Sequence, residues 1–180
     1  MKKLCLFAIV TIFSFDRVNA QDAKFGIKVG VNFSQLHVNT NDFGSGNSDS
    51  RTGFFIGGVA TIEISEKFHF QPELLYSSEG GDNVAFDYIN LPLMGKYYAA
   101  DGFNLQFGPQ LGYLLSVDGE TDLEGANRLM LGLNFGVGYD INENFFTMAR
   151  YDLGLSSLVD DSTIDSSQKS FQIGVGYRFN

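Results

Sequence analysis

Two small groups of side chains in this sequence are of residue types that could do chemistry. The first is Asp118, Glu120, Asp122 and Glu124, which alternate with other residues in a segment rich in glycine and acids. Carboxylate oxygens are ligands that Ca²⁺ prefers, so the segment is a weak candidate for a Ca²⁺ site. Because the spacing does not match an EF-hand loop, a solvated acidic surface is the favoured interpretation.

The second group is His37 with the nearby Ser34, since a histidine oriented by an acid can activate a serine hydroxyl. The sequence has only two histidines, His37 and His69, and no recognisable catalytic motif surrounds either of them. The one cysteine, Cys5, precedes the mature chain predicted below, which excludes disulfides and thiolate chemistry there. We therefore predict no catalytic residue and no cofactor, and we do not expect an enzyme.

The first twenty residues predict a secretory signal peptide. Lys2 and Lys3 make a positive start, residues 4–15 are apolar, and Val18-Asn19-Ala20 places small residues before the expected cleavage point. We expect residues 1–20 to be removed and residues 21–180 to form one domain. No apolar run reaches the roughly 18 to 20 residues that a membrane-spanning helix needs.

Alternation with a period of two runs through the rest of the chain and predicts β-strands. In the first run Phe25, Ile27, Val29, Val31 and Phe33 share one face, while glycine, lysine and asparagine share the other. The pattern recurs, and we predict eight strands in all. They lie near residues 24–34, 52–64, 67–77, 86–98, 103–115, 128–139, 144–155 and 170–179.

The predicted connections alternate between short turns and longer loops. Short turns are expected at residues 65–66, 99–102 and 140–144, where Asp101-Gly102 is a typical hairpin signal. Longer loops are expected at residues 37–50, 78–85, 117–127 and 156–168. An up-and-down meander would place all the short turns at one end of the sheet and all the long loops at the other.

The two faces of these strands decide between a soluble barrel, such as a lipocalin, and a membrane barrel. A soluble barrel fills its interior with large apolar side chains. Here one face carries glycines, amides and charges, whereas the other is almost uniformly Phe, Leu, Ile and Val. Lipid outside and a polar, hydrated lumen satisfy both faces. We predict an all-β fold, an eight-stranded antiparallel up-and-down transmembrane β-barrel of the cell outer membrane.

Tyrosines and prolines add two expectations about the strands. Outward parity predicts two belts of amphipathic rings at the membrane interfaces. The loop-end belt is Tyr76, Tyr113 and Tyr151, and the short-turn belt is Tyr97, Tyr139 and Tyr177. The three prolines, Pro72, Pro92 and Pro109, lie inside predicted strands and each removes a backbone donor. We expect bulges or local register breaks beside them.

The polar face of the strands carries ionisable side chains that parity places in the lumen. They are Lys28, Glu63, His69, Glu73, Lys96, Arg150, Asp152 and Arg178. An eight-stranded barrel is just wide enough inside for its own side chains, so we expect a salt-bridged plug. An ion path or a gate is the alternative interpretation.

Negative charge is concentrated in the predicted long loops. The net charge is −9, which argues against nucleic acid as a partner. With the strand-edge Asp87 included, the loops hold twelve acids and no Lys or Arg: Asp42, Asp49, Glu79, Asp82, Asp87, Asp118, Glu120, Asp122, Glu124, Asp160, Asp161 and Asp165. Such a surface attracts cations or basic partners in a salt-dependent way.

Four segments resemble the PorT-type outer-membrane β-barrel family of Bacteroidota. They are Phe70-Gln71-Pro72-Glu73-Leu74-Leu75-Tyr76-Ser77, Ile89-Asn90-Leu91-Pro92-Leu93, Gly108-Pro109-Gln110 and Arg150-Tyr151-Asp152-Leu153-Gly154-Leu155. The in-strand Gln-Pro-Glu is the most specific of them. The resemblance implies an eight-stranded barrel of OmpA/OmpX-like architecture with in-strand prolines, and it brings no catalytic residues. Some members of that family are linked to protein secretion and gliding.

The sequence therefore predicts an outer-membrane barrel with a structural or interaction role, both termini in the periplasm and acidic loops outside. A narrow pore, or an accessory component of transport or protein secretion, is the second interpretation. A lipid-modifying enzyme using His37 is the third. The expected partners are outer-membrane lipid, the barrel-assembly machinery, and basic proteins or divalent cations at the loops. We expect a monomer.

Overall fold

The computed structural model describes residues 23–40, 44–47, 51–81, 84–118, 128–156 and 164–179. The predicted signal peptide, residues 1–20, lies outside these ranges. Nine strands occur in the described residues: β1 Ala23–Thr40, β2 Gly44–Asn47, β3 Arg51–Glu63, β4 Phe68–Gly81, β5 Val84–Tyr98, β6 Phe103–Val117, β7 Leu129–Asp140, β8 Phe145–Gly154 and β9 Ile164–Arg178. The described part of the chain contains no α-helix with the length and apolar character needed to span a bilayer.

Eight of these strands close into a barrel, which confirms the predicted fold class. Each strand from β4 to β9 pairs antiparallel with the strand before it, and β3 pairs antiparallel with β1. The barrel closes because β1 also pairs antiparallel with β9, from Gly26 opposite Arg178 to Thr40 opposite Ile164. Closure leaves the barrel wall without a free edge, as a β-structure in lipid requires.

The ninth strand, β2, was not predicted, and it changes the picture of the loops. Four residues of β2 pair with the last four of β1, His37 opposite Asn47 through Thr40 opposite Gly44. Because β9 pairs with the same part of β1, the three strands continue as a small sheet past the last pair of β1 with β3, Ser34 opposite Arg51. The prediction of an irregular loop over residues 37–50 was therefore wrong in part.

Two other long loops are shorter than predicted. Strand β4 runs to Gly81 and β5 begins at Val84, so the loop predicted at residues 78–85 is mostly hairpin. Strand β9 begins at Ile164, inside the loop predicted at residues 156–168. Polar and small residues in these segments masked the strand pattern, since they are typical of turns. The short turns occur where they were predicted, at residues 64–67, 99–102 and 141–144.

Residue pairs are missing from the ladders beside the prolines, but the register of the strands does not shift. Pairing is interrupted between Pro72 and Pro92 on β4 and β5, and again beside Pro109 on β5 and β6, yet the register is the same on both sides of each gap. The register shift in β5 and β6 lies instead between Asp87 and Tyr88. The prediction of bulges at the prolines was wrong, because the neighbouring pairs hold the strands in line.

Alternating burial shows which face lies inside. In β6 the pattern alternates almost without interruption between exposed and buried residues. The exposed side chains of β6 and its neighbour β7 are large and apolar, such as Phe107, Leu111 and Phe135. They form part of the outer surface of the barrel. The six belt tyrosines also point outward, with Tyr97 and Tyr139 about half exposed at the short-turn end.

Candidate functional site: the barrel interior

The interior is not as uniformly polar as the sequence predicted. Buried polar side chains line it, but so do large apolar ones, including Phe55, Leu75, Met94, Leu114 and Phe146. Tyr88, Leu114 and Met130 form a small apolar cluster. Apolar side chains of this size fill space that water would otherwise occupy, so the interior is packed rather than hydrated throughout.

Glycines make room for two of these rings. A Cβ atom on Gly30 would collide with the ring of Phe55 and with the backbone of Ile173. A Cβ atom on Gly176 would collide with the ring of Phe146. The small residues of the polar face therefore accommodate aromatic rings as well as polar side chains.

The centre of the interior is an ion-pair network around Glu73. Arg150 reaches across from β8 to β4, and its two terminal nitrogens donate to the two carboxylate oxygens of Glu73, each at 2.9 Å. Lys28 Nζ donates to Glu73 Oε2 at 2.5 Å, and Gln71 Nε2 donates to Glu73 Oε1 at 2.7 Å. All three ionised side chains are at most 1% exposed. We call this set, with Gln71, the central network.

Neighbouring groups extend the central network. Arg150 Nη2 also donates to Gln106 Oε1 at 3.1 Å. Lys96 Nζ donates to Gln71 Oε1 at 3.0 Å and lies 5.2 Å from the centre of the Phe146 ring. Thr61 Oγ1 donates to the same Gln71 oxygen at 3.0 Å. Buried cations are thus held by amides, an aromatic face and one shared carboxylate.

A second ionic group lies toward the short-turn end. Arg178 Nη2 donates to Asp140 Oδ1 at 2.7 Å, and Tyr98 Oη donates to Asp140 Oδ2 at 2.8 Å. The half-buried His69 ring packs on Tyr98, with 4.5 Å between ring centres. Glu63 differs from the other predicted lumen residues, since it is exposed and pairs with Lys24 at 3.2 Å.

A third group lies toward the loop end and includes an acid that the sequence analysis assigned to a loop. Glu79 is buried because β4 extends past it. Ser77 Oγ and Gln168 Nε2 each donate to its carboxylate at 2.7 Å. Asp152, on β8, is buried at this level too, but neither of its oxygens has a hydrogen-bond partner in the described part of the chain.

The remaining candidates are not assembled into a site. Asp118 is exposed, has a positive φ of 49° and accepts a hydrogen bond from the Ala85 amide at 2.6 Å. Glu120, Asp122 and Glu124 lie outside the described residues. Ser34 is buried, and its hydroxyl both donates to and accepts from the backbone of Gly80. For His37 the structure describes only the backbone, in β1.

Metal-binding clusters of three or more His, Cys, Asp or Glu are absent from the described residues. Sequence reasoning missed Gln71, Tyr98, Gln106 and Asp140 as members of the interior groups. The even spacing of Gln71, Glu73, Leu75, Ser77 and Glu79 along β4 was the available signal for Glu79. The richness of residues 78–85 in Gly, Ser, Asn and Asp predicted a loop there instead.

The comparisons with known proteins agree with this geometry. The family model described as "Outer membrane protein beta-barrel domain" matches residues 19–160. No curated protein matches the sequence. The crystal structure of Neisserial surface protein A (NspA) superposes with a TM-score of 0.54 at 17% identity, over 87% of this chain and 99% of that one. Ail, the attachment invasion locus protein of Yersinia pestis, superposes with a TM-score of 0.51 at 15% identity, over 88% and 99%.

The closed antiparallel barrel with its apolar exterior thus defines an integral outer-membrane β-barrel protein. The chain belongs to the outer-membrane protein β-barrel domain family. This confirms the predicted location in the outer membrane and the OmpA/OmpX-like architecture. At these identities the likeness to NspA and Ail concerns the fold alone.

Proposed function

We propose that this protein is a closed, non-conducting outer-membrane barrel with a structural or interaction role, presented through its loop end. The central network is the observation that supports the proposal most directly. The Glu73 carboxylate accepts four hydrogen bonds, from Gln71, Lys28 and both terminal nitrogens of Arg150. These bonds join β1, β4 and β8 across the middle of the interior.

A permeating ion would have to displace these groups. Breaking a buried ion pair leaves uncompensated charge and costs several kcal/mol. The packed rings of Phe55 and Phe146 occupy further space beside the network. A narrow pore, or a transport accessory, is therefore the less favoured role.

Charge at the loop end supports an interaction role. Apart from the buried Glu79, the segments predicted as long loops contain eleven acids and no Lys or Arg when Asp87 is included, and the loop end would face the cell exterior with the termini in the periplasm. Ail has been solved in complex with the heparin analogue sucrose octasulfate. An acidic surface repels such a polyanion, so we propose basic proteins or cations as the partners of this chain.

The small sheet formed by the ends of β1 and β9 with β2 gives the loop end a second feature suited to binding. Among the described residues β2 pairs with β1, and we propose its other edge as the place where an extended peptide would pair.

Conductance in a planar bilayer tests whether the barrel interior is closed to ions. We expect purified protein to give no steady current, and we expect Glu73→Gln to raise leak by weakening the central network. Glu63→Gln is the matched control, because Glu63 belongs to an exposed pair away from the network. A steady current from the unmodified protein would contradict the proposal and favour the pore.

Binding of charged polymers tests the loop end. We expect polylysine to bind, heparin not to bind, and polylysine binding to weaken as salt screens the charges. A variant in which Asp118 and Asp122 are replaced by Asn, and Glu120 and Glu124 by Gln, should fold normally and bind polylysine less strongly. Heparin binding by the unmodified protein would contradict the proposed partner class.

We also propose that the chain is a PorT-type member of its family and that residues 1–20 are cleaved on export. The first rests on the four segments that resemble that family and the second on Lys2, Lys3 and the small residues before Gln21. Mass spectrometry of the intact protein from outer membranes tests the cleavage. A mass that corresponds to a chain beginning at Gln21 would support it, whereas a mass that includes residues 1–20 would contradict it. Gene neighbourhoods rich in secretion or gliding components would support the PorT assignment and the secretion alternative.

A non-enzymatic role completes the proposal. The Ser34 hydroxyl, the nucleophile of the enzymatic alternative, is already bonded in both directions to the Gly80 backbone. We expect membranes containing the protein to show no change in lipid modification when His37 is replaced by Ala. A modification that requires His37 would contradict this part of the proposal.

A further inference from the structure

We propose that the loop-end half of the barrel interior contains a binding site for one small, hard cation of the Ca²⁺ or Mg²⁺ class, with Asp152 as its principal ligand. The site is separate from the acidic loops, and it does not depend on the proposed closure of the lumen. It rests on a cavity, on the burial of Asp152 and on the chemistry of the atoms around that carboxylate.

The cavity lies above the central network, toward the loop end. Its volume of about 30 Å³ exceeds what a single water needs and suits one monatomic ion with one retained water. The polar side chains that line it are Glu79, Tyr88, Asn90, Gln110, Asp152, Gln168 and Ser170. A space of this size and polarity is expected to be filled by water or an ion rather than left empty.

Asp152 lines this cavity with a carboxylate that the protein does not satisfy. The residue is 7% exposed, and neither Oδ1 nor Oδ2 receives a hydrogen bond from any described residue. An unpaired buried carboxylate is costly, and buried charges in proteins are normally paired or coordinate a metal. Glu73 shows the contrast, since the chain itself supplies four donors to that carboxylate.

Two neighbours of Asp152 also carry oxygens without a hydrogen-bond partner. Asp152 pairs in register with Asn134 on β7 and with Ser170 on β9. Within the described chain, Asn134 Oδ1 and Ser170 Oγ are also buried without a hydrogen-bond partner. Side chains opposite each other in an antiparallel pair have Cβ atoms about 4.5 to 5.5 Å apart, close enough to share one ligand. Asp152 and Ser170, which both line the cavity, thus bring three unpartnered oxygens to a place where a cation could bind.

The nearby cations of the protein do not fill this role. Arg150 lies two residues from Asp152 on the same face of β8, but its terminal nitrogens bond to Glu73 and Gln106, and its Nε, which has no hydrogen-bond partner among the described residues, makes no bond to Asp152. Lys28 bonds to Glu73 as well. Glu79 also lines the cavity, but Ser77, Asn90 and Gln168 already donate to its carboxylate, so Asp152 is the acid left for a ligand.

The donor set favours a hard cation. Carboxylate, hydroxyl and amide oxygens are the ligands of Ca²⁺ and Mg²⁺, and these ions commonly complete their shells with water. A site with Asp152 and neutral oxygens is consistent with the absence, among described residues, of a cluster of three acidic or histidine ligands. Such a site should bind more weakly than a site with more carboxylates.

Terbium luminescence provides a direct test. Tb³⁺ substitutes for Ca²⁺ and emits when a nearby tyrosine absorbs light, and this chain has eight tyrosines and no tryptophan. Tyr88 lines the cavity. The folded full-length barrel should be titrated with Tb³⁺ in detergent at about 1 M salt, where the screening length of about 3 Å suppresses binding to exposed loops.

We expect a saturable emission that Ca²⁺ competes away. Asp152→Asn, which preserves shape and removes charge, should weaken Tb³⁺ binding roughly tenfold or more, since even supporting residues of metal sites contribute that much. Asp118→Asn is the matched control on an exposed acid and should leave the titration unchanged. Tyr88→Phe should reduce the emission, because Tyr88 lines the cavity and is a tyrosine able to transfer energy to the ion.

Folding of each variant is checked by the shift in gel mobility between heated and unheated samples. A second readout is thermal unfolding, where Ca²⁺ should stabilise the unmodified barrel and not Asp152→Asn. Identical titrations for the unmodified protein and a folded Asp152→Asn variant would overturn the proposal. So would emission that is lost in Asp118→Asn, because the ion would then be held by the loops. Either failure leaves the conductance test of closure unaffected.

Discussion

Arg150 and Glu73 meet across the barrel interior through two hydrogen bonds of 2.9 Å each. Their strands, β8 and β4, lie on opposite sides of the barrel. The pair is two-pronged, which is the strongest geometry available to a guanidinium and a carboxylate. It also ties β4 to β8, which are not neighbours in the ladder. The stability of the whole barrel should therefore depend on this contact.

Replacing Glu73 by Gln should destabilise the barrel by about 3 to 5 kcal/mol, because Lys28 and Arg150 would be left buried without their counter-charge. The free energy of unfolding in urea, with the protein in lipid vesicles, measures the effect. Glu63→Gln removes an exposed pair with Lys24 and should cost about 0 to 1 kcal/mol. Equal losses of unfolding free energy in the two variants would show that the central network stabilises the barrel no more than an exposed ion pair does.

Replacing Gly30 by Ala should impair folding, because the new Cβ would collide with the Phe55 ring and the Ile173 carbonyl. Overpacking of this kind costs about 1 to 3 kcal/mol. Gly58→Ala is the control, since the nearest atom to a Cβ there is 3.9 Å away. We expect that variant to equal or slightly exceed the original stability in the same unfolding assay. A folded and undiminished Gly30→Ala barrel would contradict the packing described for Phe55.

Introducing Arg at Val31 should cost about 2 to 4 kcal/mol if the side chain meets the lipid midplane. Val31 is 43% exposed on the outer surface of β1. Unfolding in vesicles again measures the change, with Val31→Ala as the control for lost apolar area. A cost below about 1 kcal/mol would place Val31 near an interface instead, because the penalty falls with distance from the midplane.

Cysteines at Val29 and Val175 should form a disulfide in the folded barrel. The two residues are opposite each other in the pair of β1 with β9, and the mature chain predicted here has no other cysteine. Directly opposite Cβ atoms are within or near disulfide range. Cysteines at Val29 and Ile173 are the control, since that diagonal is about 7 to 8 Å and should not crosslink. Mobility on non-reducing gels distinguishes the outcomes, and crosslinking of the control pair alone would indicate a different register.

Alternation in the sequence was enough to predict the closed barrel and the face on which Lys28, Glu73, Lys96, Arg150, Asp152 and Arg178 lie. It could not predict which of them touch, because contacts such as Arg150 with Glu73 depend on strands far apart in sequence and on the curvature of the wall. Phe55 and Phe146 were not expected inside, since parity alone does not reveal that facing glycines leave room for a ring.

Strand ends were the least predictable part. Glu79 and His37 lie in segments whose glycines, serines and acids are typical of turns, yet backbone pairing with neighbouring strands extends β4 and β1 through them. The register of a neighbouring strand is tertiary information, and local composition does not contain it. For the prolines the sequence predicted more disruption than the structure shows. A missing donor removes single hydrogen bonds, while the surrounding pairs keep the register.

The pairing of β1 with β9 has a consequence for how this molecule is made. The seam joins the first described strand to the last, so no shorter translation product can complete the cylinder. Any partial assembly would expose two unpaired borders, which hydrocarbon does not tolerate. A complete barrel therefore requires the chain as far as Arg178, the last residue of β9.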